Sequence, residues 1–162
     1  MKKLLFVIIS CVFQIVSFGQ VTTISQTDLG GGWFSGVDQW GGQSFIINQA
    51  GEITEIRFYT HTAEGLTTFE VREGQNIAGP LLYTTSLNIA VSGWISVPVP
   101  NIPVCEGQYC ILLSGFQWGA MNTANPYTDG GVYYSRSWIP GWDMAFEVDQ
   151  IINQEPVSTT IF

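Results

Sequence analysis

The stretch GEITEIRFYTHTAEGLTTFEVRE, residues 51 to 73, carries the pattern that decides the fold. Apolar and polar side chains alternate with a period of two, first through Ile56 and Phe58 and then through Phe69 and Val71. This alternation indicates strands with one buried and one wet face, and the intervening TAEG is typical of a turn. The sequence therefore predicts two short strands here.

The same alternation recurs along the chain, and no long apolar stripe of helical period interrupts it. Turn clusters such as NQAGE, EGQNIAGP and CEGQ separate the segments. About nine or ten short strands at this spacing predict an all-β chain of two antiparallel sheets packed face to face. The strand count favours a jelly roll over an immunoglobulin-like sandwich. The further predicted strands are VTTISQT, QSFIIN, PLLYTTS, WISVPV, VPNIPV, YCILLS, GVYYS and DMAFEVD.

Two features predict where individual strands lie. Pro98, Pro100 and Pro103 predict an edge strand or an irregular crossing, because proline cannot donate to a ladder. Trp94, which directly follows a glycine, is predicted to lie in the core. The C-terminal tail from residue 153 is predicted to fray or to add an edge strand.

Residues 1 to 19 are typical of a secretory signal peptide. Two lysines precede an apolar run over residues 4 to 18, and Ser17 and Gly19 stand at the two positions that a signal peptidase inspects. A membrane anchor fits less well, because the run is about 15 residues long and a bilayer span needs roughly 20. We expect cleavage after Gly19.

A lipoprotein signal that ends at Cys11 is the other alternative, but the apolar run continues well past that residue. The sequence thus predicts a single domain over residues 20 to 162. The product is expected to be secreted or held at the cell surface, with no membrane insertion after signal cleavage.

The charge balance argues against nucleic acid as a partner. The whole chain has five basic and 13 acidic residues, a formal net charge of −8. Loss of residues 1 to 19 removes both lysines and leaves Arg57, Arg72 and Arg136, so the charge becomes 3 − 13 = −10. Such a surface repels phosphate backbones and anionic membranes.

Cys105 and Cys110 flank a short segment that contains glycine, in the context VCEGQYC. Disulfides persist outside the cell, and the two residues could face each other across a hairpin. The alternative is two small buried thiols. A loop this short removes little entropy from the unfolded chain, so the sequence leaves both alternatives open.

The order of several segments resembles a β-sandwich module that recurs in secreted proteins of Bacteroidetes and looks like the jelly rolls of carbohydrate-binding modules. The resemblance covers roughly residues 42 to 148. It implies a jelly-roll fold and a place at the cell surface, and it is only weakly specific for function. The segments that carry it are GQSFIINQAGEITEIRFYT, FEVREGQNIAGPLLYTTS, SGWISVPVPNIPVCEGQYCILLS, NPYTDGGVYY and DMAFEV.

Aromatic residues gather between residues 115 and 142, where only Asp129 and Arg136 are charged. Flat rings beside amide and carboxyl groups match the apolar faces and polar rims of sugars. The alternative is that the rings plug one end of the core, as either Tyr133 or Tyr134 must do. The predicted ligand-binding residues are Trp118, Tyr127, Trp138, Trp142, Asn125 and Arg136.

Signals for catalysis and metal binding are weaker. The only histidine, His61, is more typical of a solvated turn than of a catalytic base. Asp143, Glu147 and Asp149 alternate along one strand and could serve a glycosidase, although such rows are usually solvated. Asp129, or Asp143 with Glu147, could bind a structural calcium ion together with loop carbonyls. No zinc signature occurs, and no cofactor is required.

Three functions are compatible with these observations. The favoured one is a secreted, non-catalytic module that recognises a glycan or another surface ligand through its loop aromatics. The second is a structural or adhesive subunit of the cell surface or extracellular matrix that self-associates through an open sheet edge or its aromatic patches. The third is a glycoside hydrolase.

Overall fold

The computed structural model describes residues 19–33, 40–115 and 119–152. Within these ranges the chain forms strands and turns and no helix, and so no helix that could cross a membrane. The signal-peptide prediction and the tail from residue 153 lie outside the described residues. The strands are β1 (Gln20–Gln26), β2 (Gly32–Trp33), β3 (Trp40–Ile47), β4 (Gly51–Thr60), β5 (Gly65–Glu73), β6 (Leu81–Ile89), β7 (Gly93–Val104), β8 (Gly107–Ser114), β9 (Ala120–Asn122), β10 (Gly131–Tyr134), β11 (Ser137–Ile139), β12 (Asp143–Met144) and β13 (Phe146–Ile152).

Two antiparallel sheets face each other across one apolar core. The four-stranded sheet has the order β1-β13-β4-β7, the six-stranded sheet has the order β11-β10-β3-β8-β5-β6, and a small sheet has the order β12-β9-β2. Phe58 of the first sheet stacks on Phe69 of the second at 6.2 Å between ring centroids, and Phe146 contacts Phe45 at 6.1 Å. All four rings are fully buried. The predicted all-β architecture of two facing sheets is therefore confirmed.

The alternation predicts which side of each main strand is buried. Ile56 and Phe58 of β4 point into the core, and Phe69 and Val71 do so from β5. Trp94 does not follow its prediction, because its side chain lies outside and is 42% exposed.

The alternation of β7 explains the position of Trp94. Val97 and Val99 face the core, so Trp94 must face outward, where its ring meets Tyr59 edge-on at 5.8 Å. The prolines of β7 agree with their prediction. The strand forms an edge of the four-stranded sheet, and its pairing with β4 shifts register between Ile53 and Glu55.

Cys105 and Cys110 are both free thiols, so the structure does not contain a disulfide between them. The reason is topological: β7 belongs to one sheet and β8 to the other, so the connection at Cys105 crosses between layers. Cys105 is exposed, whereas Cys110 is buried on the outer face of the six-stranded sheet. Burial raises the pKa of the Cys110 thiol to about 12, which keeps it protonated.

The six-stranded sheet buries apolar residues on its outer face as well. Cys110, Leu112 and Tyr133 form a small cluster there, and Trp40 and Trp138 pack against it. Ile77 also reaches this cluster from the loop between β5 and β6, and the backbone oxygen of Asn76 lies 3.8 Å from the sulfur of Cys110. Trp138 therefore packs against buried side chains, which fix the position of its ring.

The turn between β10 and β11 is strained. Ser135 and Arg136 have φ values of 52° and 66°, in the left-handed region that Asn-Gly occupies most readily in two-residue hairpins. We expect the double change Ser135→Asn and Arg136→Gly to raise the free energy of unfolding by about 1 kcal/mol. Chemical denaturation measures it, and Arg136→Ala is the control that removes the side chain without relieving the backbone. An equal or lower stability of the Asn-Gly variant would refute the strain.

Candidate ligand-binding groove

A shallow groove lies beside Trp138 at the outer face of the six-stranded sheet. Its volume is about 360 Å³, at the small end of the range for ligand sites. Ile46 of β3 and Gln108 of β8 line it, together with the loop before β10, Trp138 of β11 and the residue after β11. The lining residues are Ile46, Gln108, Thr128, Asp129, Gly130, Trp138 and Pro140.

Trp138 is held in place by three kinds of contact. Its backbone pairs with Tyr133, its ring packs on the outer cluster, and its indole N–H donates to the hydroxyl of Ser44 at 3.1 Å. A β-carbon on Gly131 would lie only 2.9 Å from the indole nitrogen, so glycine is needed for this close approach. The indole is half-buried, which fixes the ring while part of it faces the groove.

Three polar side chains line the same groove as this ring. Gln108 supplies an amide, Thr128 a hydroxyl and Asp129 a carboxylate. Asp129 is the only charged residue among the described residues of the lining, and its carboxylate makes this part of the groove negative. An aromatic face beside such groups can contact a ligand with one apolar side and a hydroxylated rim.

Tyr127 is a structural residue and does not offer a platform. Its hydroxyl accepts the backbone N–H of Ile46 at 3.0 Å, and its ring meets the buried ring of Phe146 edge-on at 5.3 Å. Burial raises the pKa of Tyr127; the Ile46 N–H partly offsets this, and the negative charges of Asp129 and Asp143 add to it. The prediction of Tyr127 as an exposed ring is corrected, because the ring closes the core at the groove end.

Three other predicted ligand-binding residues do not line the groove: Trp142, Asn125 and Arg136. Trp142 is half-buried against the main core, and its carbonyl accepts the N–H of Val132 at 2.9 Å. Asn125 has a left-handed backbone and a buried side-chain oxygen with no hydrogen-bond partner in the described part of the chain. Arg136 is exposed in the strained turn. Trp118 lies outside the described residues.

The carboxylates predicted as calcium ligands lie in three different surroundings. Asp129 is exposed in the groove loop, whereas Asp143 is fully buried and accepts hydrogen bonds from Gln43 and from the backbone of Tyr127. Glu147 forms an ion pair with Arg57 on the outer face of the four-stranded sheet. Among residues 19–33, 40–115 and 119–152 no three such side chains gather where they could hold a metal ion.

The acidic row on β13 is neutralised in part by Arg57. This guanidinium contacts Glu55, Glu147 and Asp149, the last at 2.9 Å. Burial raises the pKa of Asp149, but hydrogen bonds from Arg57 and Thr23 outweigh it and leave the pKa lowered. Asp143 does not belong to this row, because it pairs with Asn122 in the small sheet. The three carboxylates thus do not form the alternating wet face that the sequence predicted.

Gln108 and Thr128 are groove residues that the sequence did not single out. They come from the start of β8 and from a loop twenty residues later, and no motif links them. Only the sheet order, which places β8 beside β3 and β3 beside β10, brings them near Trp138.

No protein-family profile and no curated protein matches the chain. Among solved structures, the chain is similar to the cysteine protease and lectin-like domains of a surface-layer-associated protein of Clostridium difficile. The identity is 10%, the TM-score is 0.51, and the match covers 70% of this chain and 32% of that one. It is also similar to the same clostridial cysteine protease after propeptide cleavage, with 10% identity, a TM-score of 0.61, and 82% and 40% of the two chains covered. The match thus spans about a third to two fifths of those chains, and the likeness shows the fold.

Proposed function

We propose that the chain is a secreted or cell-surface module that binds a glycan in the Trp138 groove and performs no catalysis. The observation that carries the proposal is a half-buried indole, fixed from behind by Ser44 and Gly131, which shares a groove with an amide, a hydroxyl and a carboxylate. Pyranose rings present an apolar C–H face and hydroxyl edges, and this lining offers a partner to each.

The electrostatics of the groove narrow the ligand class. The one charged residue that the described part of the chain contributes to the groove is acidic, and the whole chain has a net charge of −8. Sulfated and uronic-acid glycans would be repelled, so neutral sugars and amino sugars fit better. The small volume favours a short saccharide or the end of a chain.

The fold supports the same proposal. The two sheets with ten strands between them favour a jelly roll over an immunoglobulin-like sandwich. One of the similar structures includes the lectin-like domains of a surface-layer-associated protein, which agrees with a glycan-binding role at a cell surface. Arg57 pairs with Glu147 and Asp149, which leaves that row poorly suited to general acid catalysis.

The experiment is a glycan array probed with the purified protein, followed by titration of the best saccharide. Trp138→Ala is expected to weaken binding at least about tenfold, or 1.4 kcal/mol, because the stacking surface is lost. Trp94→Ala is the matched control, since it removes an exposed indole from the opposite sheet, and it is expected to bind like the wild type. Absence of any glycan signal, or equal losses in the two variants, would refute the proposal.

A further inference from the structure

Strand β6, Leu81–Ile89, forms an edge of the six-stranded sheet. It pairs with β5 on one side, and no strand among the described residues pairs with its other side. Alternate residues of an antiparallel edge strand direct their backbone N–H and C=O groups away from the sheet. Such an edge is a template for another strand.

From Tyr83 to Ile89 the β6 edge lacks the features that usually protect an open edge. Its pairing with β5 shifts register between Val71 and Arg72, so this irregularity lies at the Leu81 end of the strand. Its sequence, LLYTTSLNI, has nine residues with no proline and no charge, although the chain as a whole is strongly acidic. Leu81 is 47% exposed and Leu82 is 38% exposed. The edges at β7 and β11 are protected: β7 carries three prolines, and β11 has three residues and is followed by Pro140.

The sequence of β6 is complementary to itself when two copies run antiparallel about Thr85. In that register Thr85 faces its own copy, Thr84 faces Ser86, and Tyr83 faces Leu87. Leu81 faces Ile89, and the one mismatched pair is Leu82 with Asn88. The Thr84–Ser86 pairs lie on the outer face. The Tyr83–Leu87 pairs and the central Thr85 pair lie on the face that packs against the core. Opposed hydroxyls and opposed apolar side chains are favourable cross-strand pairs.

Strand β1, Gln20–Gln26, is another uncharged edge and shows that the match is specific to β6. Antiparallel pairing about Thr23 would set Val21 against Ser25 and Thr22 against Ile24. Apolar residues would then oppose polar ones on both faces. Strand β1 therefore lacks the self-complementarity of β6.

We propose that β6 pairs with β6 of a second copy, in an antiparallel register centred on Thr85. The two six-stranded sheets then continue as one sheet, and Tyr83 and Leu87 of both copies extend the core across the boundary. The contact is two-fold symmetric and closes on itself, so it yields a dimer. No like charges meet on the paired strands, because β6 has none.

The test is light scattering of the purified protein over a range of concentrations. The wild type is expected to reach twice the monomer mass. The double variant Thr84→Lys and Ser86→Lys places two lysine pairs across the boundary, and its dissociation constant is expected to rise at least about tenfold. The matched control, Ala50→Lys with Ala63→Lys, makes the same charge change at exposed positions outside the strands and is expected to dimerise like the wild type.

A mixture identifies the register. The variant Thr84→Glu with Ser86→Glu should remain monomeric alone but form a dimer with the double-lysine variant, since residue 84 of one copy meets residue 86 of the other. A wild type that stays monomeric up to about 1 mM, or a double-lysine variant that dimerises like the control, would overturn the proposal. Trp138→Ala is expected to leave the mass unchanged, so failure of the dimer and failure of glycan binding are distinguishable.

Discussion

The Gly42→Ala variant is expected to lose about 3 kcal/mol of unfolding free energy, because the added methyl group would overlap backbone in the middle of a sheet. Gly42 lies in β3, between β10 and β8, where its cross-strand neighbours are Tyr133 and Leu112. A β-carbon there would sit 1.9 Å from the backbone oxygen of Ile111. That oxygen cannot retreat without displacing β8, because β8 is also paired with β5 on its other side.

Gly31→Ala is the matched control for this prediction. Its added β-carbon meets nothing within 4 Å, and its backbone is not in the left-handed region. Its stability in urea or guanidinium is expected to change by less than about 0.5 kcal/mol. Equal stabilities of the two variants would show that β3 and β8 do not approach as closely as described.

Replacing Asp143 with asparagine is expected to lower the free energy of unfolding by about 2 kcal/mol. The buried carboxylate accepts the amide of Gln43 on one oxygen at 3.1 Å and the N–H of Tyr127 on the other at 2.9 Å. Asparagine has one acceptor oxygen, so its NH₂ must face one of these donors. Gln43 cannot turn over to compensate, because its own oxygen accepts the N–H of Met144 at 2.7 Å.

The exposed Asp129→Asn variant is the control and should change stability by less than about 0.5 kcal/mol. Denaturant unfolding measures both variants. If Asp143→Asn were as stable as Asp129→Asn, Asp143 would not accept the two donors in solution.

The free energy of unfolding of the wild type should depend on pH through Asp143. Burial raises the pKa of Asp143, and the hydrogen bonds from Tyr127 and Gln43 offset this only in part. The folded chain therefore holds this proton to higher pH than the unfolded chain, whose value is about 3.9. Stability from this group is present below that value and is lost as pH rises through the folded pKa. Between pH 4 and pH 7 the free energy of unfolding should fall more in the wild type than in Asp143→Ala, which has no group to titrate at this position, and an equal change in the two would contradict the assigned shift.

The layers of the fold could be predicted because alternation is a local property. A strand in a two-layer sandwich must turn alternate residues to the core, so Phe58, Phe69 and Val71 were assigned correctly from neighbours alone. The prediction that Trp94 lies in the core is wrong, because it follows from the size of the side chain and not from its position in the alternation of β7. The Cys105–Cys110 geometry depended on whether β7 and β8 share a sheet, which local pattern does not reveal.

The candidate site was only partly predictable for the same reason. Trp138 and Asp129 were singled out by composition, and both line the groove. Tyr127 has the same loop context, but its ring packs inward because its hydroxyl accepts the backbone N–H of Ile46 near the end of β3. Asp143 is not part of the acidic row, because β13 begins only at Phe146. Asp143 and Met144 form β12, which belongs to the small sheet. These outcomes depend on strands distant in sequence.

The most direct measurement is a crystal structure of the protein with the saccharide that the glycan array identifies. We expect a sugar ring against the exposed part of the Trp138 indole, with hydroxyl groups in hydrogen-bond contact with Gln108 or Asp129. Glycan binding in the Trp138 groove would be contradicted by a structure with this groove empty and the saccharide on another surface, such as the Trp94 face of the four-stranded sheet.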